Sequence, residues 1–375
     1  MKKILPILYS EYGRYISRFR AIPYYIDLLR PVERRVLLST FEIAKHYTKS
    51  AKVLGYCMGQ YHPHSDAYGT LVKLVNLGYI DGQGNFGSNG LVPSEPAASR
   101  YTEVKISDWI SELAFKFINY VDWINYEFEK EPEFLPSPIP VGLIGDDINQ
   151  GIAFHKTVIP QFTLKALIDR MKFLLDKVPK EVVIYPNIKN HIVKSSNSEL
   201  KTLLKKGIAK IDFQTVYKKV DDKTYDILGI PISVNKLKKF AEENNLSLND
   251  YSSNKINIRI SGKLINEKEL VENILTTSIS FNMLVVTNDN KVVRTSVDET
   301  LLLNYNKFKE VVSKYFNSQL IDNMNKLDEL KVIEEIKKII KEHNINNTEQ
   351  LIKFAKSDPV LIKKVINKYT INTLV

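Results

Sequence analysis

One cysteine, Cys57, stands in 375 residues, so no disulfide forms within the chain and no cysteine cluster is present to hold zinc. Long apolar runs are missing as well. The start, MKKILPILYSEYGRY, has a basic beginning, but its apolar run is broken by Pro6 and is too short for a signal peptide or a membrane span. A cytoplasmic protein with no membrane contact is the expectation. No Walker-type glycine loop occurs anywhere, so no ATP site is expected in this chain. Histidines are few, six in all, and the pair in His62-Pro63-His64 lacks a convincingly spaced third ligand, so no metal is expected here. Positive charge is plentiful: 53 Lys and Arg against 43 Asp and Glu give a net charge of +10. That balance fits a polyanionic partner, although a lysine-rich composition from an AT-biased genome looks the same without one. The length suggests two or three domains.

The chemistry-bearing types gather between Gln60 and Glu103, in GQYHPHSD, DGQGNFGS and AASRYTEV. Together they suit attack on a phosphodiester, with Tyr101 as nucleophile. A phenol titrates near ~10, so attack at neutral pH requires cations that stabilise both the phenolate and the charge developing on phosphorus. Arg100 is adjacent, and Arg34, Arg35, Lys49, Lys52, His62 and His64 are available to fold against it. Gly82, Gly84 and Gly87 allow tight turning and close backbone approach. The plainer reading of Tyr101 is a core or surface filler, since the chain has 20 tyrosines.

Along the chain, residues 8–20 read as an N-terminal helix or arm. From Leu29 a helix is expected, with Pro31 in its first turn and Val32, Val36, Leu37, Phe41 and Ile43 as its apolar stripe, leaving Arg34 and Arg35 pointing away from the core. Ser50 is expected to cap a second helix, and Asp66 or Ala67 to begin a third. A glycine-rich hairpin follows, so this part reads as a winged helix-turn-helix with Lys49 and Lys52 on phosphates. Residues 105–121 have helical periodicity. The proline-rich 131–140 forms a rigid connection. Ile152 reads as a strand residue in a core or, in its NQGIA setting, as a wedge. Asp146 and Asp147 sit in a loop, and Asp221-Asp222 in a hairpin turn. Helices are expected over 163–178, 234–245 and 265–279 among several strands, and from Glu299 one long charged helix.

Seven blocks then fall in one order: FRAIPYYIDLLRPVERRVL (19–37), KSAKVLG (49–55), YHPHSD (61–66), DGQGNFGS (81–88), AASRYTE (97–103), EPEFLPSPIP (131–140) and NQGIAF (149–154). This set resembles the breakage-reunion, A-type subunit of type IIA DNA topoisomerases, the family of gyrase A, topoisomerase IV A and compact phage-type subunits. The resemblance implies an α+β multidomain fold: an arm over 1–27, a winged-helix breakage-reunion domain over 28–134, an α/β tower over 135–299 and a helical exit-gate arm over 300–375. It implies a transient 5′-phosphotyrosyl double-strand break for duplex passage, with Tyr101 as nucleophile and Arg100 stabilising the pentacovalent phosphate. Arg34, His62 and His64 would position phosphate, Arg35, Lys49 and Lys52 would bind DNA, and Ile152 would bend it. It further implies a homodimer on double-stranded DNA, joined to a B-type subunit that brings ATP and Mg²⁺, two copies of each. The departures are a shorter segment after His64 and Ser65 where glycine is usual, and the returning arm helix and DNA-wrapping domain are expected to be absent. Relaxation or decatenation is therefore expected over wrapping-driven supercoiling. The alternative is an inactive DNA-binding or architectural protein. A self-sufficient tyrosine nuclease or recombinase is a further rival, but the Arg/His pattern of tyrosine recombinases is not evident.

Overall fold

A computed structural model describes residues 4–16, 20–63, 67–88, 90–126, 129–152, 155–252 and 255–342, with isolated positions beyond. Two compact units divide the chain, Met1–Lys309 and Glu310–Val375. Helices and sheets are mixed throughout the first unit, in keeping with the α+β expectation.

After α1 (Leu5–Ile16), the first unit builds three helices, α2 (Pro31–Ile43), α3 (Ser50–Gln60) and α4 (Tyr68–Asn76), against a small antiparallel sheet. Its strand order is β1 (Thr48–Lys49), β3 (Glu103–Ile106), β2 (Ile80–Gln83). Pro31 occupies the first turn of α2, where its missing N–H costs nothing. Val36, Leu37, Val53, Leu71, Leu74, Val104 and Ile106 meet in one buried cluster. Burying a side chain of this size stabilises by about 1.5–3 kcal/mol, so the cluster holds the three helices on the sheet. Residues 105–121 are helical only in part. Ile106 lies in β3 beside Ile80, the helix Asp108–Ile110 continues as a π-helical stretch over Ser111–Phe115, and a 3-10 turn follows at Ile118–Tyr120. The inward alternation of Val104 and Ile106 satisfies a strand, and pairing with β2 decides the matter.

Beyond the hairpin of β4 (Trp123–Tyr126) and β5 (Glu129–Pro132), the proline-rich segment runs without helix to a single turn at Val141–Leu143. Gly142 is required there, because an added Cβ would lie 2.2 Å from the Leu28 carbonyl oxygen. A five-stranded sheet follows, from β6 (Ile148–Ile152), β7 (Lys156–Pro160), β8 (His191–Val193), β9 (Ile208–Thr215) and a later strand, Thr276–Asn282. A separate four-stranded sheet contains β10 (Tyr217–Asp221) and β11 (Thr224–Ile227), joined through the turn expected at Asp221-Asp222. It also contains Ser247–Asp250 and Ile258–Ser261. The expected helices occupy Leu164–Leu174 and Val234–Glu243, the first capped by the Thr163 hydroxyl. Over 265–279 the helical stretch stops at Leu275, and the β-branched run TTSISFN becomes the strand that pairs with β9.

The last helix, Val297–Glu342, begins in the first unit, where Asn304 donates to the Ile26 carbonyl at 3.2 Å. In the second unit its exposed apolar residues include Phe316, Leu320, Met324, Leu327 and Ile333. Among the described residues no helix is long and apolar enough to cross a membrane.

Candidate active site

Tyr101 sits in the long connection between β2 and β3, and that connection is docked on the start of α3. The first N–H groups of a helix lack partners inside it. Here Ser50 donates its amide to the Thr102 carbonyl at 3.0 Å and Ala51 to the Ser99 carbonyl at 3.1 Å. The buried Thr102 hydroxyl donates to the Ser50 hydroxyl at 2.8 Å and shares a 3.2 Å contact with the Tyr68 hydroxyl. Tyr68 in turn donates to the Ala97 carbonyl. Ser50 is thus the first residue of α3 and holds the tyrosine turn; it does not cap the helix in the way its sequence position suggests. Gly87, at φ +83°, turns the connection so tightly that a Cβ would meet the Ser94 carbonyl at 2.9 Å. On this braced turn Tyr101 is 65% exposed, and the Arg100 guanidinium stands 4.6 Å from its ring centroid. An exposed cation beside an accessible phenol, at the positive end of a helix, favours an anion arriving there. Lys52 is exposed, and Lys49 is half-exposed with its ammonium 2.8 Å from Glu103.

Arg34 and Arg35 do not point away from the core. Both are buried, because α2 is covered on nearly every side and each guanidinium finds a carboxylate. Arg34 donates to Asp27 through Nε at 2.8 Å and Nη2 at 3.0 Å, and lies over the Tyr24 ring. Asp27 also accepts the amides of Leu29 and Leu135, each at 3.1 Å. Arg35 donates to Glu131 at 2.7 Å and contacts His62 Nδ1 at 3.0 Å. A lone buried charge is very costly, which is why such groups occur paired. His62 follows the end of α3, its amide on the Cys57 carbonyl at 2.8 Å. The 11 residues of α3, at about 1.5 Å each, set the Tyr101 turn and the His62 cluster roughly 16 Å apart along its axis. His64 lies outside the described residues.

A third network reaches β6. Glu33 accepts from Arg30 Nη2 at 2.7 Å and from Lys73 Nζ at 3.0 Å, and Lys73 also donates to Asn149 Oδ1 at 3.3 Å. Asn149 donates to the Leu28 carbonyl at 3.1 Å, and Gly151 lets the chain at Ala21 approach so closely that a Cβ would meet the Ala21 oxygen at 2.1 Å. Ile152 ends this anchored strand opposite Lys156; its side chain lies outside the described residues. Burial by itself raises the Glu33 carboxyl, but Lys73 and Arg30 outweigh it and hold the group at about 2. Because the folded value is depressed below the ordinary 4.5, this stabilisation is complete above that pH and is lost as pH falls from there toward about 2. We expect a loss on the order of 3 kcal/mol across that window. Thermal unfolding of wild type and Glu33→Gln checks it: the variant loses less stability on acidification, and equal acid slopes refute the assignment.

Tyr101 and Arg100 come together, as do Arg35 and His62, while Arg34 belongs to a separate knot. Sequence reading missed Asp27, Glu131, Lys73, Tyr68 and Thr102. Asp27, Glu131 and Thr102 each lie inside one of the seven blocks, which was their only signal; Lys73 and Tyr68 are found through partners distant in sequence. Among the described residues no group of three or more His, Cys, Asp or Glu is disposed to hold a metal ion.

Comparison with known proteins agrees with this arrangement of blocks. The family of the DNA gyrase/topoisomerase IV A subunit matches residues 20–374. The DNA gyrase A subunit of Aminobacterium colombiense is 39% identical over 193 residues, covering 47% of this chain and 23% of that protein. The Thermotoga maritima protein of the same name is 34% identical over 227 residues, 54% of this chain and 27% of that one. That of Pseudomonas aeruginosa is 38% identical over 198 residues, 47% and 21%. The matched part thus spans about a quarter of these relatives' length. With the family pattern running from residue 20 to residue 374, the chain belongs to the family of DNA gyrase and topoisomerase IV A subunits.

Proposed function

We propose that this chain is the DNA-cleaving and religating subunit of an ATP-dependent type IIA topoisomerase. The exposed Tyr101 phenol on its braced turn, under the Arg100 guanidinium, carries the reading. The tyrosine oxygen attacks a phosphodiester phosphorus, a 5′-phosphotyrosyl bond forms, and the bond to the 3′-oxygen breaks to leave a 3′-hydroxyl. Attack by that hydroxyl reverses the step, so the energy of the broken strand stays in the phosphotyrosine. Arg100 neutralises charge on the non-bridging oxygens as it grows.

The helices α2 to α4 with their small sheet act as the winged-helix module, Lys49 and Lys52 meeting phosphates along the duplex, and the following sheets act as the tower. Ile152, ending the strand that Asn149 anchors, is the bending wedge. Arg34 and Arg35 act from within the core: Arg34 fixes the start of α2, and Arg35 supports His62. Since α3 keeps Tyr101 away from His62 within one chain, the function calls for a homodimer that brings the tyrosine of one copy to the arginine–histidine cluster of the other. His64, two residues after His62 in the sequence, is assigned the same phosphate-positioning role. ATP and Mg²⁺ enter on a B-type partner, in a heterotetramer with two of each subunit. Relaxation or decatenation is the expected outcome, in a cytoplasmic setting.

The test mixes the chain with its B-type partner, Mg²⁺ and supercoiled plasmid, and quenches with detergent. Protein bound covalently to 5′ ends of linear DNA supports the reading. DNA binding with no adduct favours the architectural alternative.

A further inference from the structure

We propose that Glu131 and Arg35 are positioning residues that hold His62 as the neutral imidazole protonated at Nε2, making it a hydrogen-bond donor and neither a base nor a cation. A guanidinium has donors only and does not deprotonate in proteins. Arg35 Nη1 lies 3.0 Å from His62 Nδ1, so Nδ1 must offer its lone pair. The proton of the neutral ring then resides on Nε2, since the bond at one ring nitrogen decides the state of the other. This reverses the common arrangement in which a carboxylate accepts from Nδ1–H and leaves Nε2 as the base.

Burial makes the assignment strict. The side chains of Arg35 and Glu131 are 1% and 3% exposed, and the cation is neutralised by contacts of 2.7 Å and 3.4 Å to the two carboxylate oxygens. Glu131 therefore has its charge engaged by Arg35. An imidazolium here would set N–H against N–H and add a second cation beside a desolvated one. Among the described residues the titratable groups of this cluster include Arg35 on α2, Glu131 on β5 and Cys57 on α3, whose carbonyl accepts the His62 amide. Burial pushes the Cys57 thiol up, so it remains uncharged. Ser39, one turn after Arg35, bonds back to the Arg35 carbonyl at 2.8 Å and presents no charge.

The consequence for the reaction rests on the cleavage reading above. His62 stabilises a phosphate oxygen through Nε2–H, and the Tyr101 proton does not leave through His62. Nuclear magnetic resonance of the intact protein carrying ¹⁵N-histidine, with His62 assigned by the His62→Gln variant, decides the proton position without any reaction. The expected spectrum shows a protonated Nε2 and an unprotonated Nδ1 from about pH 6 to pH 8. A protonated Nδ1, or a ring titrating near its ordinary value of ~6.5, overturns the proposal. Arg35→Met is expected to move His62 toward ordinary titration, whereas Glu131→Gln, which removes the carboxylate that aims the guanidinium and leaves the cation uncompensated, is expected to keep the ring neutral and shift its Nδ1 resonance. An unchanged His62 spectrum in a folded Arg35→Met protein refutes the role of Arg35, and in Glu131→Gln that of Glu131.

In the adduct assay His62→Gln, whose side-chain amide nitrogen overlays Nε2, is expected to keep cleavage within about tenfold, while His62→Asn loses on the order of 10²–10³. Equal loss in the two overturns the donor role. Absence of any adduct in wild type removes the cleavage reading and leaves the tautomer to the spectrum.

Discussion

Tyr101→Phe is expected to abolish the detergent-trapped protein–DNA adduct while changing DNA affinity by no more than about twofold. Only the phenolic oxygen is removed; the ring beneath Arg100 stays, and the side chain is 65% exposed, so nothing in the core depends on it. Substitutions at such sites shift stability by within about 0.5 kcal/mol, which separates lost chemistry from lost folding. Tyr185→Phe, at another exposed tyrosine remote in sequence from this turn, serves as the control and is expected to cleave like wild type. Arg100→Ala keeps the nucleophile and is expected to lower the cleavage rate on the order of 10²–10³, the usual cost of one preorganised donor at a transition-state anion. An adduct of normal yield in Tyr101→Phe would place the nucleophile elsewhere in the chain.

Asp27→Ala carries the largest expected loss of stability, about 3–5 kcal/mol. Asp27 is fully buried and accepts four hydrogen bonds: two from Arg34 and one each from the amides of Leu29 and Leu135. Its removal strands a buried guanidinium and two amides together. The two amides belong to segments more than 100 residues apart, so the carboxylate also ties the start of α2 to the proline-rich connection. Asp27→Asn keeps the shape without the charge and is expected to cost less. Denaturant titration followed by tryptophan fluorescence reads this directly, because both tryptophans, Trp109 and Trp123, lie in the first unit. A midpoint for Asp27→Ala indistinguishable from wild type would show that the pair contributes nothing net.

Much of the candidate site was legible as local text. Arg100 and Tyr101 are neighbours, and no folding is needed to put a cation beside the phenol. Pro31 at a helix start acts over a few residues and stands where local sequence places it. The arginines of α2 show the opposite. A helix with one apolar stripe is assumed to have a wet face, and on that assumption Arg34 and Arg35 point outward. In α2 the buried residues run unbroken from Glu33 to Thr40, leaving little wet face. The same holds at 105–106 and 276–282, where a helical period and a strand alternation both fit, and pairing with β2 or β9 chooses between them.

Sequence by itself determined the order of the blocks, the adjacency of Tyr101 and Arg100, and the turn at Asp221-Asp222, because these depend on backbone geometry and on residues within about one helical turn. Tertiary structure alone decided which cations are solvated and which are core, that α3 holds Tyr101 and His62 apart, and on which nitrogen His62 carries its proton. Those outcomes depend on desolvation and on partners as far away as Glu131 is from Arg35, 96 residues along the chain, and a buried charge settles wherever the fold brings it an opposite one.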